Sequence, residues 1–418
     1  MKPILLHIFF LLLFQPSFSQ DLGRIDWNLD IDYLAKELPY RHFDFFTKKS
    51  KKEFKAGLEN IKKNKDSLSD FAIAIKLQQL IASFGDSHTS LNFYQLLEKD
   101  KILPVKANWF RNGFYILHTT PENSAILGKQ IVNINGIPFA TIADSLSTLF
   151  TIDNQAMLKK NIPNFFICIQ LLHYFGFAQG EEIVLGLKNE KGEIENHTIQ
   201  PGELTRENRK QIIPDQIPLC YLNERSLFNE TYQEKELIYY IQYNKCWSKE
   251  MELQFGKAEN AEKMPTFASF EEKIFRTLKY EYVKKIVFDI RLNGGGSSPQ
   301  GTELIEKLAA HLRKNPDIKL YVIIGRNTFS SAILNAMDFK RLTNAIFIGE
   351  ETSGKPNHFG QVQNFKLPSS GIIVSYSTKY FKRTDDEANS LKPDVLFETS
   401  YSDFLHGIDP AYEWVKKQ

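Results

Sequence analysis

Five short segments hold the residue types from which acyl-transfer chemistry can be built. "FGDSHTS" (84–90) sets Ser87 beside His88 at the end of an apolar helical pattern. "IVFDIRLNGGGSS" (286–298) runs from an apolar strand pattern into Gly294, Gly295 and Gly296. Such a loop lets backbone N–H groups approach an anion closely. A phosphate-binding loop would need Gly-Lys-Ser/Thr, which is missing here, and Pro299 stands where a dinucleotide fingerprint needs its third glycine. The oxyanion of a tetrahedral intermediate is the other anion such a loop can hold. "GRNTFSSAILNAM" (325–337) places Ser330 and Ser331 between a strand pattern and a helix pattern, where a serine hydroxyl is presented at the sheet's C-terminal edge. The N–H of Ser331 would then be an oxyanion donor beside Gly295, although an ordinary N-cap fits Thr328 or Ser330 equally well.

The remaining two segments offer a base and a carboxylate. "GEETSGKPNHFG" (349–360) carries Lys355 and His358 in a glycine- and proline-containing loop. Either can activate a serine, and either can be an ordinary surface residue. "TDDEANSLKPDV" (384–395) carries Asp385, Asp386 and Glu387, a solvated turn unless one of them orients another catalytic group.

The elements that must position these groups fall into three regions. Residues 26–84 read as helices, among them "IDYLAKEL", the basic "KKSKKEFKAGLENIKKNK" and "FAIAIKLQQLIASF", with Gly85 as the stop after the last. Residues 101–200 change to short strands with an Asn135-Gly136 hairpin turn and the helix "ATIADSLSTLF". From 216 onward apolar strands alternate with helices, the pattern of βαβ units and an α/β core.

Composition sets outer bounds. Lys2 followed by the apolar run Ile4–Phe14 and Ser17-Phe18-Ser19 reads as a secretory signal peptide cut after Ser19, so the mature chain is expected in the periplasm or outside the cell. No later run approaches the length of a membrane span. With 52 basic against 50 acidic residues the net charge is +2, which gives no general attraction to nucleic acid or to an anionic membrane. The 3 cysteines, Cys168, Cys220 and Cys246, lack metal-ligand spacing and read as buried thiols, with one disulfide possible.

Taken together and in order, the segments resemble the C-terminal processing (tail-specific) serine peptidases and their tricorn-type relatives. "IVFDIRLNGGG", "GRNTFSSAILNAM", "IGEETSGK" and "LKPDV" resemble that family's glycine loop, nucleophile segment, Gly-Glu-x-Thr-x-Gly segment and Pro-Asp strand entry. "GKQIVNINGIPF" resembles the signature of a PDZ domain, which in the family holds substrate tails. The resemblance covers nearly all of the mature chain. It implies an α/β fold with a ClpP/crotonase-like catalytic domain at 204–418, a PDZ-like β-rich domain at 101–203 and an N-terminal helical domain at 20–100 that carries Ser87 and His88.

It also implies a serine peptidase with Ser330 as nucleophile and an oxyanion hole of Gly295 and Ser331, acting on peptide or protein substrates and needing no cofactor or metal. The tricorn-type arrangement matches Ser87 and His88 to an upstream Gly-x-Ser-His segment and Glu387 to a glutamate six residues before Pro393. Glu387-Ala388-Asn389-Ser390 departs from the family's Glu-Asn-x-Gly, which leaves Asp386 as the other candidate. A Ser330–Lys355 dyad is the family's second solution, and the spacing suits it, though Pro356 and Asn357 depart from its pattern. A non-catalytic member that binds peptide tails or an apolar ligand stands as the alternative class.

Overall fold

The computed structural model describes residues 25–189 and 191–418; the expected signal peptide lies outside the described residues. Three helices come first: α1 Trp27–Arg41, α2 Lys51–Asn64 and α3 Asp70–Ala82. The basic run is α2, started by a capping box between Ser50 and Glu53. It buries Phe54, Leu58 and Ile61 and leaves its lysines largely to solvent. After α3 the chain turns at Gly85, whose φ of +90° lies in the region glycine occupies without strain.

The middle region is an antiparallel sheet built from β1 Val105–Phe110, β2 Gly113–Thr119, β3 Gln130–Ile134, β4 Ile183–Lys188 and β5 Ile194–Ile199, which lie side by side in chain order. Asn135 and Gly136 both have positive φ, as a two-residue hairpin turn requires. Three helices follow that turn, α4 Phe139–Ser147, α5 Gln155–Phe165 and the short Ile169–Tyr174. The second, capped by Asn154, has no counterpart among the elements read from the sequence, because Pro163 and three polar residues at 159–161 blur its apolar face.

The C-terminal region holds a six-stranded sheet. Its strands are β6 Phe228–Gln233, β7 Ile238–Tyr243, β8 Lys285–Asp289, β9 Lys319–Ile324, β10 Ile346–Gly349 and β13 Val395–Leu396, in the order β13-β10-β9-β8-β7-β6. Every pair is parallel except the β6–β7 edge. β7, β8 and β9 are buried almost throughout, which is why they read as continuous apolar runs. Helices α6 Phe267–Tyr280, α7 Pro299–Lys314 and α8 Ser331–Leu342 supply the crossovers, and α9 Pro410–Lys416 covers the other face.

A long hairpin, β11 His358–Lys366 and β12 Ile373–Phe381, leaves this sheet and packs elsewhere. Ser90 and Leu91 pair with Ser375 and Val374 of β12. Phe365, Leu367, Val374 and Tyr376 join the same apolar core as α1, α3 and the middle sheet. The helical and β-rich regions therefore share one continuous core, sealed by a hairpin from the C-terminal region. That interlock carries the Gly85–Thr89 turn to the edge of the parallel sheet.

Candidate active site

Two neighbouring parallel strands, β8 and β9, end at the same edge of the sheet and release the two loops that matter. The glycine loop after β8 is pinned by Asn293, whose side chain is fully buried. Its amide donates to Tyr243 O at 2.9 Å, and its Oδ1 accepts the Gly295 N–H at 2.9 Å. The turn after β9 is tied to that loop. Thr328 Oγ1 donates to Ile290 O at 2.9 Å, Phe329 N–H to Asn293 O at 3.1 Å and Ser331 Oγ to Gly296 O at 2.7 Å.

Ser330 sits at the top of this turn with a φ of +54°. A side-chain-bearing residue adopts such backbone only at a cost of about 1 kcal/mol or more. A Cβ placed on Gly295 would come within 2.8 Å of Ser330 Cβ and 3.1 Å of Ser331 N, so only glycine lets the two loops meet. Ser331 is the first residue of α8, and its N–H therefore has no partner within the helix. The two expected oxyanion donors differ in this respect. The Gly295 N–H is already engaged by Asn293.

His88 arrives from the opposite side. Its ring stacks on Phe329, the residue before Ser330, at 4.6 Å and 18°, and on His358 at 5.6 Å and 14°. Both ring nitrogens are buried without a hydrogen-bond partner, and no bond joins His88 to Ser330. Burial lowers the His88 pKa to about 4; nearby Asp86 works against this, while His358 and Lys160 add to it. A neutral imidazole with a vacant nitrogen can accept a proton at neutral pH.

Asp86, to which no motif drew attention, is the carboxylate beside that ring, with Oδ1 3.9 Å from His88 Nδ1. Its Oδ2 accepts from His42 Nε2 at 3.0 Å, Thr89 Oγ1 at 2.5 Å and Ser377 Oγ at 2.6 Å, while Oδ1 takes the His88 backbone N–H at 2.9 Å. His42 Nδ1 accepts from the Asp44 N–H, so Nε2 carries the proton given to Asp86. Burial pushes the Asp86 pKa up, but His42, His88, Ser377 and Thr89 together hold it down at about 2.

Ser87 points to a different carboxylate from the one expected. It lies beside Asp153 and helps hold its pKa down, and Asp153 also pairs with Lys355 Nζ at 3.0 Å. Burial raises the Asp153 pKa, and Lys355 and Ser87 only partly offset that rise. Glu387 is exposed in the loop after β12 and is not brought to Ser87; Asp385 and Asp386 are exposed there too. The expected Ser87–Glu387 bridge is thus not formed, and the carboxylate beside Ser87 is Asp153. Lys355 is correspondingly a counter-ion of Asp153, which opposes its role as a neutral base. His358 is not a loop residue but the first of β11, and its Nδ1 donates to Lys355 O at 2.9 Å.

Asp153 follows the apolar "FTI" ahead of α5, with no charge pattern to mark it. Asp86 is legible only as the variable residue of Gly-x-Ser-His. The three cysteines are free and buried, as their apolar settings suggest, and form no disulfide among the described residues. A cleft of about 690 Å³ opens at Asp153, between residues 152–155, Pro356 and the loop 384–392. No helix among the described residues is long and apolar enough to cross a membrane.

No protein-family model matches this sequence, and no curated protein matches it significantly. Solved structures do. Mature CPAF complexed with lactacystin superposes with a TM-score of 0.62 at 12% identity, covering 93% of this chain and 97% of that one. The photosystem II D1 C-terminal processing protease aligns with a TM-score of 0.40 at 13% identity, over 92% of this chain and 98% of that one. The tricorn protease does so at 0.42 and 13%, over 93% of this chain and 36% of that one. At 12% identity the likeness to mature CPAF is one of fold.

Proposed function

We propose that this chain is an exported serine peptidase that cleaves peptide bonds through an acyl-enzyme on Ser330. One observation carries the reading. A serine held at φ +54° against a glycine loop stands next to Phe329, on whose ring lies a neutral histidine with unpartnered nitrogens. Ser330 Oγ attacks the substrate carbonyl carbon while His88 Nε2 accepts the hydroxyl proton. The tetrahedral oxyanion takes the Ser331 N–H, a donor whose loss typically costs ~3 kcal/mol. Collapse breaks the C–N bond, and His88 returns the proton to the leaving amine. Water then repeats the cycle on the ester.

Asp86 faces Nδ1, so it favours the tautomer with a proton there and stabilises the imidazolium as it forms. Ser87, Asp153 and Lys355 form the outer support. The unpartnered nitrogens and the missing Ser330–His88 bond fit a site that tightens when substrate enters. The middle β-rich region, 101–203, is assigned here as a PDZ-like domain that presents substrate tails. Its core is continuous with the N-terminal helices, which suits a fixed rather than a swinging module.

A fluorophosphonate probe tests the reading directly. Wild type should label at one serine, and labelling should vanish in Ser330→Ala and fall steeply in His88→Ala. Labelling that survives Ser330→Ala removes the nucleophile from the scheme.

A further inference from the structure

Lys160 is the lysine in this site that lacks an acidic partner. It lies on α5, with Nζ 4.3 Å from the centre of the Phe329 ring and 3.3 Å from Ser353 Oγ. No carboxylate pairs with it among the described residues. The acids around it are committed elsewhere. Asp153 pairs with Lys355, Glu350 with Arg326, Glu398 with Lys159, and Asp409 with Arg291. Glu224, which faces the same cleft, is pushed by burial up to about 7 and gives up much of its charge near neutrality. Burial also lowers Lys160 to about 8, so the ammonium persists at pH 7 at a desolvation cost that the Phe329 ring and Ser353 Oγ offset without any opposite charge.

The cleft that Lys160 lines holds about 350 Å³ and also contains Leu292, Gly325 and Asn327, neighbours of the glycine loop and of the Ser330 turn. Phe329, whose ring the ammonium faces, precedes Ser330, so a peptide running from this cleft to Ser330 passes beside the ammonium. We propose that Lys160 is a specificity-determining residue that selects peptides with an Asp or Glu side chain within a few residues of the cleaved bond. This rests on the serine-peptidase reading above.

The same contact has a consequence for rate. Titratable groups facing His88 are Asp86, which favours the imidazolium that catalysis must form, and two that oppose it, His358 and, through its ammonium, Lys160. A substrate carboxylate on Lys160 cancels that opposition during the proton transfer. Acidic substrates should therefore gain in kcat as well as in KM.

Cleavage-site profiling of a proteome-derived peptide library, run on the full chain with wild type, K160M and K160R, tests this. Wild type should show Asp and Glu enriched roughly tenfold at one position beside the cut. K160R should keep much of that enrichment and K160M should lose it. In parallel, the acid limb of fluorophosphonate labelling should move to higher pH in K160M and stay in K160R, a shift that a merely structural lysine would not produce. Even if K160M fails to fold, absence of acidic enrichment in wild type overturns the proposal. So does enrichment that persists in K160M, or a wild type that labels at Ser330 but cuts nothing in the library. Labelling that survives Ser330→Ala instead removes the peptidase reading itself, and this inference falls with it.

Discussion

The turn Gly85–Thr89 and the loop 382–390 are both short polar stretches that follow regular elements, and the fold treats them oppositely. Asp86 is buried under three side-chain donors and a backbone N–H, contributed by α1's C-terminal end, by its own turn and by β12. Asp385, Asp386 and Glu387 carry more charge in fewer residues, yet all three face solvent, and the ion pair Asp385 makes is with Lys382 in the same loop. Carboxylate density along a chain does not locate a desolvated carboxylate. What decides is whether surrounding elements bring enough donors to replace its water. The hairpin β11–β12 does this for Asp86 through Ser377, whereas the loop 382–390 is held by its backbone, through Asn357 and Asn154, and by Ser390, which donates to Glu351 at 2.7 Å.

If this contrast governs function, the largest effect of substitution belongs to the turn. His88→Ala should lower the rate of fluorophosphonate labelling by about 10³-fold, because it removes the base and leaves only binding and the oxyanion donor. In wild type the acid limb of that rate should have its midpoint at about 4, not at the ordinary histidine value of 6.5, since burial keeps His88 neutral down to that pH. A midpoint near 6.5 would mean that His88 is hydrated in solution and that the ring is less enclosed than its contacts require.

Asp86→Asn comes next and acts on stability as well as rate. The folded Asp86 pKa of about 2 lies below the unfolded 3.8, so its charge stabilises the fold above pH 3.8. That contribution, on the order of 2 kcal/mol, is lost as pH falls through 2. Wild type should therefore lose thermal stability between pH 4 and pH 2. Asp86→Asn should be less stable than wild type at pH 7 and lose less on acidification. Equal acid sensitivity in the two proteins would show that another carboxylate carries the transition.

Much of the scaffold is legible in the sequence because it rests on periodicity and on backbone chemistry. The continuous apolar runs of β7, β8 and β9 announce a parallel sheet. Ser330 is legible because a strand, a turn and a helix leave it one place to be. What is not legible depends on side chains meeting across long sequence distances. Asp153 ahead of α5 finds Lys355 in the loop after β10, and Asp86 after α3 finds Ser377 on β12. Strand β11 escapes because Gln361, Val362, Gln363 and Asn364 are all exposed, so no apolar alternation marks it. The helical and β-rich regions read as separate domains, yet they share a core whose last side chains come from the hairpin at 365–376.

Asp153→Asn separates support from charge. Burial holds the Asp153 pKa above its ordinary range, so ionising it costs stability at neutral pH. Removing that charge should leave the thermal midpoint within a few degrees of wild type. Lys355, one-third exposed, can turn to solvent. Labelling should still fall about tenfold, because an uncharged amide oxygen accepts more weakly than a carboxylate and so holds Ser87, the residue next to His88, less firmly. A loss of stability without a loss of rate would make the Ser87–Asp153–Lys355 chain a fastener between regions and nothing more.

Glu387→Gln gives the smallest expected effect and the sharpest discrimination. The side chain is exposed and makes no hydrogen bond among the described residues. Substitution should therefore change stability by about 0.5 kcal/mol at most and labelling by less than about twofold. Family resemblance assigns Glu387 the carboxylate that reaches His88 through Ser87, and in that case its loss would rival that of Asp153. The loop 384–392 borders the cleft at Asp153, so a bound peptide that drew this loop inward would carry Glu387 with it. Measuring Glu387→Gln both with the small probe and with a peptide substrate separates the two arrangements. A defect confined to peptide cleavage assigns Glu387 to a closed, substrate-bound site. Equal rates on both leave Asp86 and Asp153 as the carboxylates that serve His88.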